Sequence, residues 1–409
     1  MSKHSVLILT FVALTATGAA AAPPEPLVLT NANVVDVRAG SVRPGVTLVL
    51  RNGRIESLSP ASAPAGVNTV DLRGRYVLPG LVDAHTHIST FAAARQALES
   101  GVTTVRSSGV SYYFDVGFHE LVKKGALPGP DMVASGYHVR PRVADEAFVS
   151  HPALFELMSG IDTVGEIRAL VRANLSQGVE WIKVLATERA GTADTDPRKQ
   201  VYTEAELRAA VEEAATRGIP VQAHAHGEEG ALAAVRAGVR SIEHGTYLSD
   251  ETLALMKEKG TYFVPTYTTV VDLTQPGGDY DVPALRLRGA HMLPRLRQSV
   301  ERAHRLRVKI VAGADTSYGP GSLTRIAGEV VSFVELGQSP AEALRTATTT
   351  AAEMLGKERA IGAVEAGFEA DLLAVEGNPL ENPGALLDPL LVVSNGQVVV
   401  NRLEFARAK

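Results

Sequence analysis

The chain has 409 residues, 45% of them apolar and 21% charged, with a formal net charge of −5. That length supports one large domain and a smaller one around a sizeable core, and the charge leaves no basic footprint for nucleic acid or an anionic membrane. With no cysteine, disulfides, thiolate metal sites and cysteine nucleophiles are excluded, so histidine, carboxylate and lysine carry whatever chemistry there is.

At the N-terminus, Lys3 and His4 form a short basic start, residues 6–16 an apolar run and residues 19–22 a set of alanines. This pattern predicts an export leader over residues 1–22, cut after Ala21, and a periplasmic destination. The apolar run is too short to persist as a spanning helix, so no stable membrane insertion is expected after its removal.

Residues 23–75 alternate β-type runs (27–30, 33–36, 46–50 and 54–57) with turn signals, and Asn52-Gly53 between two such runs predicts a hairpin. The tail, 362–409, has the same texture, with runs at 371–375, 390–393 and 398–400 and a second pair, Asn395-Gly396. Neither end can build its own core. Both are therefore expected to meet in one small β-sandwich, with residues 76–361 inserted between them.

In the inserted portion short apolar runs alternate with helical patterns. Strands are predicted at 81–84, 103–106, 132–135, 181–185, 221–223, 241–243, 262–265 and 309–312. Helices are predicted at 204–217, 228–237, 250–259 and 283–306, with Gly218, Gly238 and Gly260 as helix stops. The order predicts an α/β fold, a (β/α)8 TIM barrel. A doubly wound open sheet is the alternative, but it would draw ligands only from the few strands beside a switch point. Two long connections, 136–162 and 188–202, are expected to overhang the mouth; the first carries His138, Arg140, Arg142 and His151.

Chemistry-bearing residues recur at the ends of these runs. They are His85 and His87 in Leu81-Val-Asp-Ala-His-Thr-His87, Lys183 in Trp181-Ile-Lys-Val-Leu185, His224 in Val221-Gln-Ala-His-Ala-His-Gly227, His244 in Ser241-Ile-Glu-His-Gly245 and Asp315 in Ile310-Val-Ala-Gly-Ala-Asp-Thr316. In a parallel barrel such ends converge on one mouth. Four imidazoles, a carboxylate and a lysine there suit two divalent cations and hydrolytic chemistry. His85 and His87, two apart on a strand, face the same way. Lys183 sits in an apolar strand and needs either a buried acid or another answer: as a neutral amine it adds CO2 and becomes an anionic carbamate that bridges two metals. His226 repeats the same-face spacing and is left as a substrate contact or a residue that orients a ligand. Asp315 is expected both to bind a cation and to take a proton.

In these residues the chain resembles the amidohydrolase superfamily, across nearly the whole mature sequence. Pro79-Gly-Leu-Val-Asp-Ala-His-Thr-His87, Lys183, His224, His244 and Asp315 match its binuclear pattern, and the flanking β segments look like its composite sandwich. Ala223-His-Ala-His-Gly227, Ile242-Glu-His-Gly245 and the helical stretch 346–356 look like its imidazolonepropionase-like branch, which includes Xaa-Pro and Xaa-Arg/Lys dipeptidases or carboxypeptidases and ochratoxin amidohydrolases. The resemblance implies that His85, His87 and Asp315 hold one Zn2+, that His224 and His244 hold another, and that carboxylated Lys183 bridges them with a hydroxide. Hydroxide attack on an amide carbonyl, with Asp315 passing the proton to the leaving nitrogen, follows from that. His138 occupies about the place where relatives keep a histidine that polarises the carbonyl.

The leading expectation is a binuclear zinc amidase or peptidase that takes a small N-acyl amino acid or dipeptide, with Arg140 or Arg142 receiving the substrate carboxylate. A cyclic-amide or lactone hydrolase using the same site, and a non-catalytic periplasmic metal- or ligand-binding protein, are the competing readings. Deamination is disfavoured because His226 stands where mononuclear deaminases of the superfamily carry a catalytic glutamate. Apolar helix faces give no separable interface, which leaves a homo-oligomer open.

Overall fold

A computed structural model describes residues 25–59, 66–322 and 325–405; the leader expected at 1–22 lies outside the described residues. Alternating apolar positions at both chain ends form strands, and these strands join one sheet. Its N-terminal members are β1 (Leu27–Asp36), β2 (Ser41–Arg51), β3 (Arg54–Ser59), β4 (Asn68–Asp71) and β5 (Tyr76–Pro79).

In the central portion come β6 (Leu81–Thr86), β7 (Val102–Ser107), β8 (Asp131–Val133), β9 (Ile182–Leu185), β10 (Val221–Ala225), β11 (Ser241–His244) and β12 (Tyr262–Val264). The chain then returns to the first sheet as β13 (Leu372–Val375), β14 (Leu391–Ser394) and β15 (Gln397–Asn401). The order in that sheet is β15-β14-β13-β5-β1-β2-β3, with β4 beside β1. Asn52 and Gly53, and again Asn395 and Gly396, all have positive φ, as a two-residue hairpin turn requires. One face buries Leu29, Leu48 and Ile55 together with Leu372 and Val393, so the two ends share a core.

The central strands pair in parallel, in two groups: β6-β7-β8 and β9-β10-β11-β12. Backbone bonds connect the groups at both edges. On one side Trp181 N–H donates to the Ala134 carbonyl (3.0 Å) and Val139 N–H to that of Lys183 (2.8 Å). On the other, Val311 N–H donates to Phe263 (2.8 Å), Ala84 N–H to Ala312 (3.1 Å) and Asp315 N–H to His85 (2.8 Å).

Seven of the eight strands expected in this portion form, with ends shifted by one or two residues. The eighth, at 309–312, does not form a regular strand, and only Ile310 bridges to Phe263. The reason is local: Ala312 N–H bonds the Thr346 carbonyl (3.0 Å) instead of a strand neighbour, and the chain turns left-handed at Asp315 (φ 47°). Similarly β8 stops at Val133 because the N–H groups of Ser135 and Gly136 are taken by Asp115 Oδ2 (2.8 and 2.9 Å).

Helices Glu228–Ala237 and Asp250–Lys259 end at Gly238 and Gly260, both left-handed. The 136–162 connection folds into a helix, Asp145–Ser150, and a short 3-10 segment, Pro152–Leu157. No helix among the described residues is long and apolar enough to cross a membrane.

Candidate metal centre

Strand β9, the ends of β6, β10 and β11 and the 310–316 segment bring His85, His87, Lys183, His224, His244 and Asp315 to the wall of one cleft. His138 and His226 line it as well. Close approach depends on Gly313, where a Cβ would stand 2.8 Å from that of His85. Asp315 Oδ1 then lies 3.4 Å from His85 Nε2 and 3.2 Å from His87 Nε2. His244 (φ 72°) and Asp315 (φ 47°) are both held in the left-handed region, a strained geometry that concentrates at functional sites.

Each imidazole is fixed from behind. His85 Nδ1–H donates to Glu243 Oε2 at 2.6 Å, and His87 Nδ1–H to the Gly109 carbonyl at 2.9 Å. Nδ1 of His226 meets Thr246 Oγ1 (2.9 Å), and Nδ1 of His244 meets Thr266 Oγ1 (2.8 Å). All four rings thereby leave Nε2 as the ligand atom, which is how metal-binding histidines are oriented. His224 is reversed: its Nε2–H donates to the Glu188 carbonyl (3.2 Å), leaving Nδ1.

Burial holds His85, His138, His224 and His244 well below the usual imidazole range, with neighbouring positive charge adding to it, and takes His226 down to about 3. Neutral rings are the form that binds metal.

Two polar atoms in the cleft are buried without a hydrogen-bond partner, Lys183 Nζ and His244 Nε2. Orphaned groups of this kind each cost about 1–3 kcal/mol. Their position among carboxylate and imidazole donors fits a cation. Two sets of side chains, His224 with His226 and His244, and His85 with His244 and Asp315, offer ligand atoms within 4.8 Å of one another. His226, expected to touch substrate, is thus as well placed for a metal as His224; the two rings are 4.9 Å apart.

Sequence reasoning missed what supports this wall. Arg106 on β7 is fully buried, donates to both Glu243 oxygens (2.9 and 2.8 Å) and to the Ala84 carbonyl (2.6 Å), and lies over the Trp181 ring at 4.5 Å. A charged residue within an apolar strand was the signal, the same one that singled out Lys183. Arg189 and Tyr280 also line the cleft. Arg140, half-buried, and Arg142, exposed, are not part of that lining. The Arg140 charge nevertheless bears on His138, which lines the cleft, and Arg189 bears on Arg140.

The amidohydrolase family model matches residues 76–399. The chain is 28% identical to the ochratoxinase of Aspergillus niger, over 90% of this chain and 87% of that one. It is 29% identical to the imidazolonepropionase of Symbiobacterium thermophilum, over 82% and 85%. Among solved structures it is similar to a Xaa-Pro dipeptidase with methionine bound in the active site, at 28% identity and a TM-score of 0.80, covering 91% of this chain and 99% of the other. Family and structural likeness together imply an α/β fold of the TIM-barrel type, and the His/Asp cluster accords with the family's general use of a metal ion. The chain belongs to the amidohydrolase family and is a hydrolase acting on amide bonds.

Proposed function

We propose that this centre holds two zinc ions and hydrolyses the amide bond of an N-acyl amino acid or dipeptide, releasing an α-amino acid. The observation that carries the reading is the buried, unpartnered amine of Lys183 among His85, His87, His224, His244 and Asp315. His85, His87 and Asp315 would hold one ion, His224 and His244 the other, with Lys183 bridging them as its carbamate. Burial takes the Lys183 ammonium down to about 8, so the neutral amine that must attack CO2 is accessible near neutral pH. Bound there, divalent ions supply Lewis acidity toward the scissile carbonyl and acidify water.

The protein's own groups do the rest. Asp315 would accept the proton released as the water oxygen bonds the carbonyl carbon, and return it to the nitrogen as the C–N bond breaks. His138 Nε2–H donates to the Ser108 carbonyl, so polarising a substrate carbonyl requires the ring to leave Ser108 first. Arg189, on the loop after β9, would receive the substrate carboxylate bidentately. The similarity to a Xaa-Pro dipeptidase and an ochratoxinase supports an amide whose leaving group is an amino acid. We place the catalytic barrel at residues 76–361, carrying a β-sandwich from 23–75 and 362–409, behind an export leader at 1–22.

The test is amino-acid release by purified protein supplied with zinc and bicarbonate. The panel would span Xaa-Pro, Xaa-Arg/Lys and Xaa-Phe dipeptides, N-acyl amino acids, an aromatic mycotoxin amide, hydantoins and lactones. Release of one amino-acid class supports the proposal and names the pocket's preference. Ring opening alone would transfer the site to cyclic substrates, and silence across the panel would overturn it.

A further inference from the structure

At the N-terminal end of β8, outside the cleft described above, three carboxylates converge where the terminal sheet meets the central strands. Asp131, Glu369 and Asp371 each place an oxygen within 4.8 Å of the other two. Among the described residues none of the three is ion-paired with a lysine or arginine. Asp371 is almost wholly buried, and its Oδ2 has no hydrogen-bond partner; the Thr103 hydroxyl stands beside the carboxyl, but no bond of ordinary geometry reaches that oxygen. Thr104 supplies an independent sign. Its Oγ1 is buried and unpartnered, in register with Asp131 on the neighbouring strand, and it lines the same cavity as Asp131 and Glu369.

The backbone holds this arrangement in place. Ala370 N–H donates to the Gly53 carbonyl, Gly396 N–H to that of Ala370, and Gly80 N–H to that of Asp371, each at 2.8–3.0 Å. Asn395 donates its N–H to Asp371 Oδ1 (2.7 Å) and its amide to Asp131 Oδ1 (3.2 Å). Both hairpin tips of the terminal sheet are therefore tied to the acidic cluster. Three carboxylates from two parts of the fold thus converge with too few protons to share, and the Thr104 hydroxyl lines the cavity that Asp131 and Glu369 share.

We infer that Asp131, Glu369, Asp371 and Thr104 form a structural calcium site that fastens the terminal sheet to β8. The donors are all hard oxygens, which select calcium or magnesium over zinc. Their number decides between the two: calcium accepts a cage of several protein oxygens, whereas magnesium keeps several of its waters and takes one or two carboxylates. Burial raises the proton affinity of all three carboxyls, and the Asp131 charge adds to it for Glu369 and Asp371, while Lys357 lies near enough to oppose this for Asp131 and Glu369. A divalent cation removes the repulsion without protonation. The site is separate from the catalytic centre and does not depend on the substrate assigned above.

The experiment uses the full protein with its catalytic metal in place, passed through a calcium-free column and then titrated with calcium at fixed free zinc. Calcium per chain is read by elemental analysis and thermal midpoint by calorimetry. One additional calcium per chain and a midpoint raised by about 3–5 °C are expected. Glu369→Gln, at a half-exposed position, should weaken calcium binding at least about tenfold with amide hydrolysis unchanged. Asp371→Asn should abolish binding, and if it fails to fold, Glu369→Gln is read alone. Absence of calcium from the wild-type protein at millimolar concentration overturns the inference, as does calcium retention unchanged in Glu369→Gln. A cluster stabilised only by acidification, with no response to calcium, would show that protonation does the work instead.

Discussion

His85 Nδ1 and Glu243 Oε2 lie 2.6 Å apart, and the same carboxylate is held from its other side by Arg106. Glu243 is wholly buried, so it neutralises an arginine and fixes the His85 ring with one side chain. Glu243→Gln should weaken metal retention about 10–100-fold, as loss of a partner behind a ligand does. It should also cost about 3–5 kcal/mol in stability by leaving Arg106 unpaired. Competition with a chelating dye measures the first and denaturant unfolding the second. Metal retention equal to wild type would mean that His85 does not need this partner.

Lys183 offers a sharper test of the centre. Lys183→Ala removes the proposed bridging anion and should lower turnover by about 100-fold or more. Formate or acetate, small enough to enter the space left by the side chain, should restore part of that activity. A variant that is inactive and indifferent to added carboxylate would argue that the lysine acts some other way.

Arg189 and Arg142 should separate cleanly. Arg189→Ala removes a charge-assisted contact worth about 1.5–3 kcal/mol, so KM for a carboxylate-bearing substrate should rise about 10–100-fold while kcat changes less. Arg142→Ala, at an exposed position off the cleft wall, should leave both constants as they are. Equal effects in the two variants would return the carboxylate contact to the 136–162 connection.

A pH dependence follows from Glu329, which accepts from Tyr267 N–H and from the N–H and hydroxyl of Thr268. Burial nevertheless outweighs these donors and raises its carboxyl from 4.5 to about 7. The folded state therefore binds this proton more tightly than the unfolded chain. Its contribution is complete below about pH 4.5 and is lost as pH rises through about 7, a change of roughly 3 kcal/mol. Glu329→Gln cannot titrate there. The stability difference between wild type and variant should fall across that window; parallel curves would refute the shift.

The grouping of His85, His87, Lys183, His224, His244 and Asp315 at one cleft was legible because each sits in or just after an apolar run, where period and chemistry disagree in plain view. Lys183 within Trp181-Ile-Lys-Val-Leu185 is such a disagreement. Arg106 within Val102–Ser107 is another, but its partner Glu243 lies 137 residues away, and nothing local announces a pairing at that range. Arg140 and Arg142 looked apt because they follow a strand. Arg189, which does line the cleft, lies in the 188–202 connection, and no spacing rule tells which of the two loops brings its arginine to the wall. The run at 309–312 reads as a strand by its apolar residues, yet the Thr346 carbonyl claims one of its N–H groups. The export leader was read from residues the structure does not describe, and it stands as the sequence left it.

The terminal sheet also dictates an order of assembly. Strand β5 pairs with β1 on one side and with β13 on the other, Pro79 opposite Leu372 and Tyr76 opposite Val375. Until almost the whole chain has been synthesised, Tyr76–Pro79 has no second neighbour and remains an open strand edge, the kind of surface that recruits other chains. A polypeptide released before Leu372 would carry every residue of the cleft and a permanently unpaired edge, and its fate would be decided by aggregation before catalysis.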